Sequence, residues 1–189
     1  MHRTHTDRQL GFTLGETLAA LAVTGIGLSL AVPGLQSLTR SNGQAAAVNQ
    51  LVTTMHLARS EAIMRNRPVS VCASASGTGC DSHDWSDGWI AFVDEDGNQQ
   101  RAPAEALVEQ APAPGLSLAS VQFASAFGFA ADGRTSGPRR EVASGEFAFC
   151  AAGATTAGRV VILRASGLPT LADRGRDGAP LGCPGRTED

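Results

Sequence analysis

The run Phe12-Thr13-Leu14-Gly15-Glu16-Thr17-Leu18-Ala19-Ala20-Leu21-Ala22-Val23-Thr24-Gly25-Ile26-Gly27-Leu28-Ser29-Leu30-Ala31-Val32 decides how the rest of the chain is read. Its 21 residues carry one charge, Glu16. A helix rising about 1.5 Å per residue covers roughly 30 Å over such a run, enough to cross a bilayer. The tail before it, residues 1–11, holds Arg3 and Arg8 against Asp7. The positive-inside tendency therefore keeps the tail cytoplasmic and places Pro33 onward outside. A removable secretory signal fits less well, because apart from Ala31-Val32-Pro33 the run does not lead into a small-residue cleavage pattern. An ionisable side chain within lipid is costly and is kept for a partner, so Glu16 calls for a positive neighbour.

Working outward, Leu35, Leu38, Val48, Leu51, Val52, Met55, Ala58, Ala62 and Ile63 recur mostly at three- and four-residue steps, one helical stripe. With Pro68 as the stop, the spacing predicts a helix from Phe12 to Asn66. Its first part, 12–33, is the candidate transmembrane segment, and 34–67 is its amphipathic continuation. Beyond Pro68 the period falls toward two. Val69–Cys72, Trp89–Val93, Ala106–Val108, Leu116–Phe123, Phe127–Ala130, Glu146–Cys150 and Val160–Arg164 read as antiparallel strands separated by glycine-rich breaks. A long helix followed only by strands implies an α+β fold, the helix packed on one face of an antiparallel sheet or sandwich-like domain spanning 68–189.

The 189 residues balance 15 Lys+Arg, all of them arginine, against 18 Asp+Glu, with a sequence pI near 5.8. Such a chain has no global field that would gather nucleic acid. Cys72, Cys80, Cys150 and Cys183 all follow the apolar run. On the non-cytoplasmic side they are disulfide candidates, and their spacing, with no HxxxH partner among His2, His5, His56 and His83, argues against zinc. Four cysteines allow three connectivities. Cys72 and Cys80 enclose a Ser/Gly loop that one bridge closes, and Cys150 with Cys183 is then the expected second pair.

The string Gly11-Phe12-Thr13-Leu14-Gly15-Glu16 resembles the type III signal of type IV prepilins and pseudopilins. The resemblance implies cleavage by a prepilin peptidase between Gly11 and Phe12, residues 1–11 being the leader. It also implies N-methylation of Phe12 by the same peptidase/methyltransferase, and a Glu16 that faces the N-terminal amine of a neighbouring subunit during assembly. Gly25 and Pro33 fall where pilin-like helices carry a glycine and a proline. Gly15 departs from the usual bulky aliphatic residue and costs about 1 kcal/mol in a helix interior.

A second string is more specific. Leu57-Ala58-Arg59-Ser60-Glu61-Ala62, Arg67-Pro68-Val69-Ser70-Val71-Cys72, Trp85-Ser86-Asp87-Gly88-Trp89 and Phe92-Val93-Asp94 together resemble minor pseudopilin H of type II secretion and the pilin-like FimT proteins. That likeness implies a non-catalytic subunit of a type II secretion pseudopilus that helps drive protein export, anchored by one pass in the bacterial inner membrane with its β-rich part in the periplasm. It implies other pseudopilins or pilins as partners and no cofactor. The alternative within the same group is a minor pilin of type IV pili, acting in pilus assembly or DNA uptake.

Other features read more plainly. Asp94-Glu95-Asp96-Gly97-Asn98 has the flavour of a calcium loop, with Glu105 at position 12, but position 6 is Gln99 where an EF-hand carries glycine, so a hairpin turn is the expectation and no metal is assigned. Trp85 and Trp89 are expected to pack in the core or at its edge. Arg134, Arg139 and Arg140 in one glycine-rich loop, and Arg174 and Arg176 in the tail, are the candidate DNA contacts under the alternative reading, although Asp173 and Asp177 bracket the second pair. No nucleophile, base and carboxylate fall into a recognisable catalytic motif.

Overall fold

The computed structural model describes residues 13–137, 141–151 and 153–183, with the side chains of 26–38 and 40 outside that set. One helix, α1 (Leu14–Arg65), runs for 52 residues. Its end is written in the sequence. Asn66 adopts φ 51°, its N–H donates to the Ile63 carbonyl, and the Arg67 N–H reaches back to Ala62 at 3.2 Å. This is the left-handed Schellman closure, with asparagine in the place glycine usually takes and proline directly after.

The chain divides into two compact units, Met1–Ser41 and Asn42–Asp189. In the first, the described turns of α1 leave Leu14 80%, Leu18 59%, Leu21 68% and Val23 71% exposed. Among the described residues no helix is long and apolar enough to cross a membrane. Phe12, the first residue of the apolar run Phe12–Val32, lies outside the described residues, as do the side chains of its last stretch, 26–32.

In the second unit, α1 buries Ala47, Val48, Leu51, Met55, Ala58 and Ala62, a stripe at three- and four-residue steps. Among the described residues nine strands follow: β1 (Val69–Ala73), β2 (Gly88–Val93), β3 (Leu107–Pro112), β4 (Ser117–Ala119), β5 (Ala126–Phe129), β6 (Thr135–Ser136), β7 (Gly145–Cys150), β8 (Arg159–Leu163) and β9 (Pro169–Ala172). They form a five-stranded sheet ordered β3-β2-β1-β5-β6 and a four-stranded sheet ordered β4-β7-β8-β9. Every pairing is antiparallel. The α+β reading therefore holds, resolved into two sheets. The strand expected over Leu116–Phe123 shrinks to three residues, while β6 and β9 are additions.

Period-two alternation sorts the first sheet. Trp89, Ala91 and Val93 of β2 join Val69, Val71 and Ala73 of β1 and the helix stripe in the main core. Ile90, Phe92 and Cys72 turn to the opposite face, where with Ala126 they form a smaller cluster closed by Cys80. The two sheets meet through aromatic rings. Trp85, from a single turn of 3-10 helix (Trp85–Asp87), lies 5.7 Å from Phe127 of β5 and edge-on to Phe147 of β7 at 5.2 Å. Phe123 stacks on Phe147 at 5.7 Å. Both tryptophans are fully inside and polar-satisfied, Trp85 Nε1 donating to the Phe123 carbonyl at 2.8 Å and Trp89 Nε1 to Thr54 Oγ1 of α1 at 3.0 Å. Gly88, at φ 110°, lets β2 begin beside β3: a Cβ there would lie 2.6 Å from the Ala111 carbonyl oxygen.

Candidate functional site

The N-terminal turn of α1 is a capping box. Thr13 Oγ1 accepts the Glu16 N–H at 3.3 Å, and the Glu16 carboxylate reaches back toward the Thr13 N–H at 3.5 Å. Each side chain thus answers a backbone donor that helix geometry leaves without a partner, and the carboxylate sits at the positive end of the helix dipole. The arrangement holds the acid of Glu16 at the chain-start end of α1. Gly11 and Phe12, the expected cleavage and methylation positions, lie outside the described residues.

Two disulfides are present, Cys72–Cys80 with Cα atoms 5.5 Å apart and Cys150–Cys183 at 5.9 Å. The first closes a small loop on β1 that is organised around one carboxylate. Asp81 Oδ1 accepts the Ala75 N–H at 2.9 Å, the Ser76 N–H at 3.3 Å and the Ser74 hydroxyl at 3.2 Å. Bonding from the Ser76 side chain is the largest influence on this acid. Desolvation opposes it, the Ala75 and Ser76 N–H groups and the Ser74 hydroxyl add to it, and the carboxyl is lowered from 3.8 to about 2. The second disulfide ties the C-terminal segment to the end of β7.

The connection from β2 to β3, residues 94–106, is a long hairpin loop rather than a tight turn. Asp94, Asp96 and Glu105 bring carboxylate oxygens within 4.8 Å of one another. Donors of the loop itself, and one from β1, occupy them. Asp94 accepts the N–H groups of Asn98 and Gln99, both at 3.0 Å, and the Ser70 hydroxyl at 2.6 Å. Glu105 accepts Glu95 N–H and Ala102 N–H, each at 2.8 Å. Gln99 takes φ 60°, the conformation a glycine would supply at that place in an EF-hand. These acids are the loop's internal scaffold.

The arginines expected to act together are scattered. Arg134 lies in the β5–β6 turn, its N–H on Asp132 at 3.0 Å. Arg139 and Arg140 lie outside the described residues. Arg176 is held by Glu146 of β7: its backbone N–H and, at 3.1 Å, its Nε both donate to Glu146 Oε1, and its Nη1 reaches Ser144 Oγ at 2.6 Å. Glu146 is only 8% exposed, so Arg176 neutralises a buried carboxylate. Arg174 remains on the surface, Nη1 on the Gly178 carbonyl at 3.2 Å. Reading the sequence did not single out Arg164, which the β8–β9 hairpin brings onto the same groove as Arg174 and Arg176. Only the pairing of β8 with β9 joins positions ten residues apart there.

Comparison with known proteins places this architecture. The family profile for type II transport protein GspH matches residues 47–167. Pilin-like protein PilA1 of Thermus thermophilus is 36% identical over 95 residues, which is 50% of this chain and 54% of PilA1; the chain spans about half the length of that curated relative. Two crystal structures of the type IV minor pilin FimU of Pseudomonas aeruginosa share the fold. One has a TM-score of 0.56 at 23% identity, covering 74% of this chain and 99% of FimU, and the other 0.57 at 22%, covering 78% and 99%. With well over half its length matched by that profile and its fold shared with a minor pilin, the chain belongs to the type II transport protein GspH family of pilin-like minor pseudopilins.

Proposed function

We propose that this protein is a minor pseudopilin that is cut before Phe12, methylated there, and built through its N-terminal helix into the pseudopilus of a type II secretion system. In this reading residues 12–33 first lodge in the bacterial inner membrane, with the β-rich unit in the periplasm. Assembly then transfers the helix from lipid into a bundle of neighbouring helices. The observation that carries the proposal is the Thr13–Glu16 capping box, which keeps a lone carboxylate at the end of the helix where cleavage would create a neighbour's free amine. In a low-dielectric bundle an unpaired Glu16 is strongly disfavoured, so the pair selects register. The uncovered Leu14, Leu18, Leu21 and Val23 supply the apolar surface that lipid or other helices would cover.

The test is incorporation. Glu16→Ala should be processed to the same extent as the parent yet be recovered at less than about a tenth of the parental level in sheared filaments, the size of a lost charge-assisted bond in a dry site. Undiminished incorporation refutes the reading. The likeness to FimU and PilA1 favours a second reading, a minor pilin of type IV pili. A deletion separates the two, since loss of a secreted enzyme points to the pseudopilus and loss of twitching or transformation to the pilus.

A further inference from the structure

Between the β8–β9 hairpin and the C-terminal strap lies a groove of about 780 Å³ whose floor is apolar, Ile162, Ala165 and Ala172, and whose rim carries Arg164, Arg174 and Arg176. One carboxylate lines it, Asp173. The charges are not equivalent. Arg176 is committed to the buried Glu146 and to Ser144, which fixes the strap against β7. Arg164 bonds through Nε to Thr170 Oγ1 at 3.4 Å and Arg174 through Nη1 to the Gly178 carbonyl. Among the described residues neither forms a salt bridge. Asp177, nearby on the strap, gives Oδ1 to the Ala179 N–H at 2.9 Å. Two exposed guanidinium groups thus stand over an apolar trough with most of their N–H donors turned to water, and the Cys150–Cys183 bridge holds the strap that forms one wall.

We propose that this groove receives a carboxylate-bearing segment of a neighbouring filament subunit, with Arg164 and Arg174 as its ligands and Arg176 as the residue that positions the strap. The proposal rests on the filament reading for the identity of the neighbour. Planar guanidinium forks pair two-pronged with carboxylates, and the apolar floor suits the methylenes of an acidic peptide. A nucleic acid is the poorer fit. It demands a continuous basic track and, for single strands, exposed rings to stack on. Here Asp173 interrupts the track, and both tryptophans and Phe92, Phe123, Phe127, Phe129, Phe147 and Phe149 are buried.

The experiment uses full-length protein in detergent and fluorescence anisotropy. The probes are a fluorescein-labelled peptide Ser-Glu-Asp-Glu-Ser, its amide counterpart Ser-Gln-Asn-Gln-Ser, and a labelled 12-base-pair duplex. The acidic peptide should bind, the amide peptide should not, and Arg164→Gln with Arg174→Gln should weaken binding about tenfold or more while the circular dichroism spectrum is unchanged. Absence of binding by the acidic peptide overturns the proposal, as does binding indifferent to the two arginines. Tighter, arginine-dependent binding of the duplex overturns it in favour of nucleic acid. Arginine-dependent peptide binding alongside a Glu16→Ala that incorporates normally would sink the filament reading but leave the groove's chemistry standing. A Glu16-dependent filament with no peptide binding would do the reverse.

Discussion

Replacing Thr54 by valine tests whether the helix and the first sheet are held by a specific polar contact as well as by burial. Thr54 and Trp89 are both fully buried, and the indole Nε1–H donates to Thr54 Oγ1 at 3.0 Å while that hydroxyl donates to the Gln50 carbonyl at 3.1 Å. Valine fills the same volume, so no cavity opens. What changes is that the indole N–H is left in the core with no acceptor, a desolvation cost of about 1–3 kcal/mol. Taking about 2 kcal/mol, and roughly 2–4 °C per kcal/mol for a chain of this size, Tm should fall by about 4–8 °C. In a Trp89→Phe background the donor is gone and the same substitution should cost under about 0.5 kcal/mol, giving a coupling near 1.5 kcal/mol. Urea unfolding of the full chain, followed by near-ultraviolet circular dichroism, reads all four proteins. A Thr54→Val chain within about 0.5 kcal/mol of the parent, or an equal cost in both backgrounds, would show that the contact contributes nothing specific.

Two further outcomes are accessible by the same means. Gly145→Ala places a Cβ 2.3 Å from the Phe123 ring, which is itself stacked on Phe147; the overpacking should destabilise by about 1–3 kcal/mol, and Phe123→Leu in the same chain should recover part of it. The folded Asp81 carboxyl titrates near 2, below its ordinary 3.8, so its contribution is complete above about pH 4 and is lost as pH falls toward 2. Asp81→Asn should therefore be less stable than the parent at neutral pH, and the gap should close through that window. A gap unchanged between pH 5 and pH 2 contradicts the loop geometry.

Much of the fold is legible in the sequence, and the rest escapes it for physical reasons. The helix end was legible because Asn66-Arg67-Pro68 is a stop written in backbone chemistry. Strands buried on both faces, such as Gly88–Val93 and Gly145–Cys150, were legible as short apolar runs. β6 escaped because two residues carry no period, and β9 because it opens on Pro169 at a sheet edge. The strand expected over Leu116–Phe123 stops at Ala119: Val121 is 90% exposed, and Phe123 is buried from a bend, anchored by its carbonyl on Trp85. At the candidate site, Glu16 announced itself as a charge in an apolar run, whereas the arginine groove is a product of strand pairing. The acidic stretch after β2 shows the opposite limit, since its residue types suggested a cation loop and the structure turns Asp94, Asp96 and Glu105 onto backbone N–H groups and Glu95 onto Arg67.

The strand order of the first sheet also bears on how the protein is made. β1 sits at the centre, paired on one side with β2, which follows within a hairpin, and on the other with β5, which is encoded about 50 residues later. At about 5–20 residues per second, the ribosome needs roughly 3–10 s to bridge that interval. Within it β2 and then β3 can join β1 as each is made, while one flank of Val69–Ala73 offers an unoccupied ladder to any passing strand. The nascent chain is thus most open to mispairing midway through its synthesis, and arrival of Ala126–Phe129 ends that exposure.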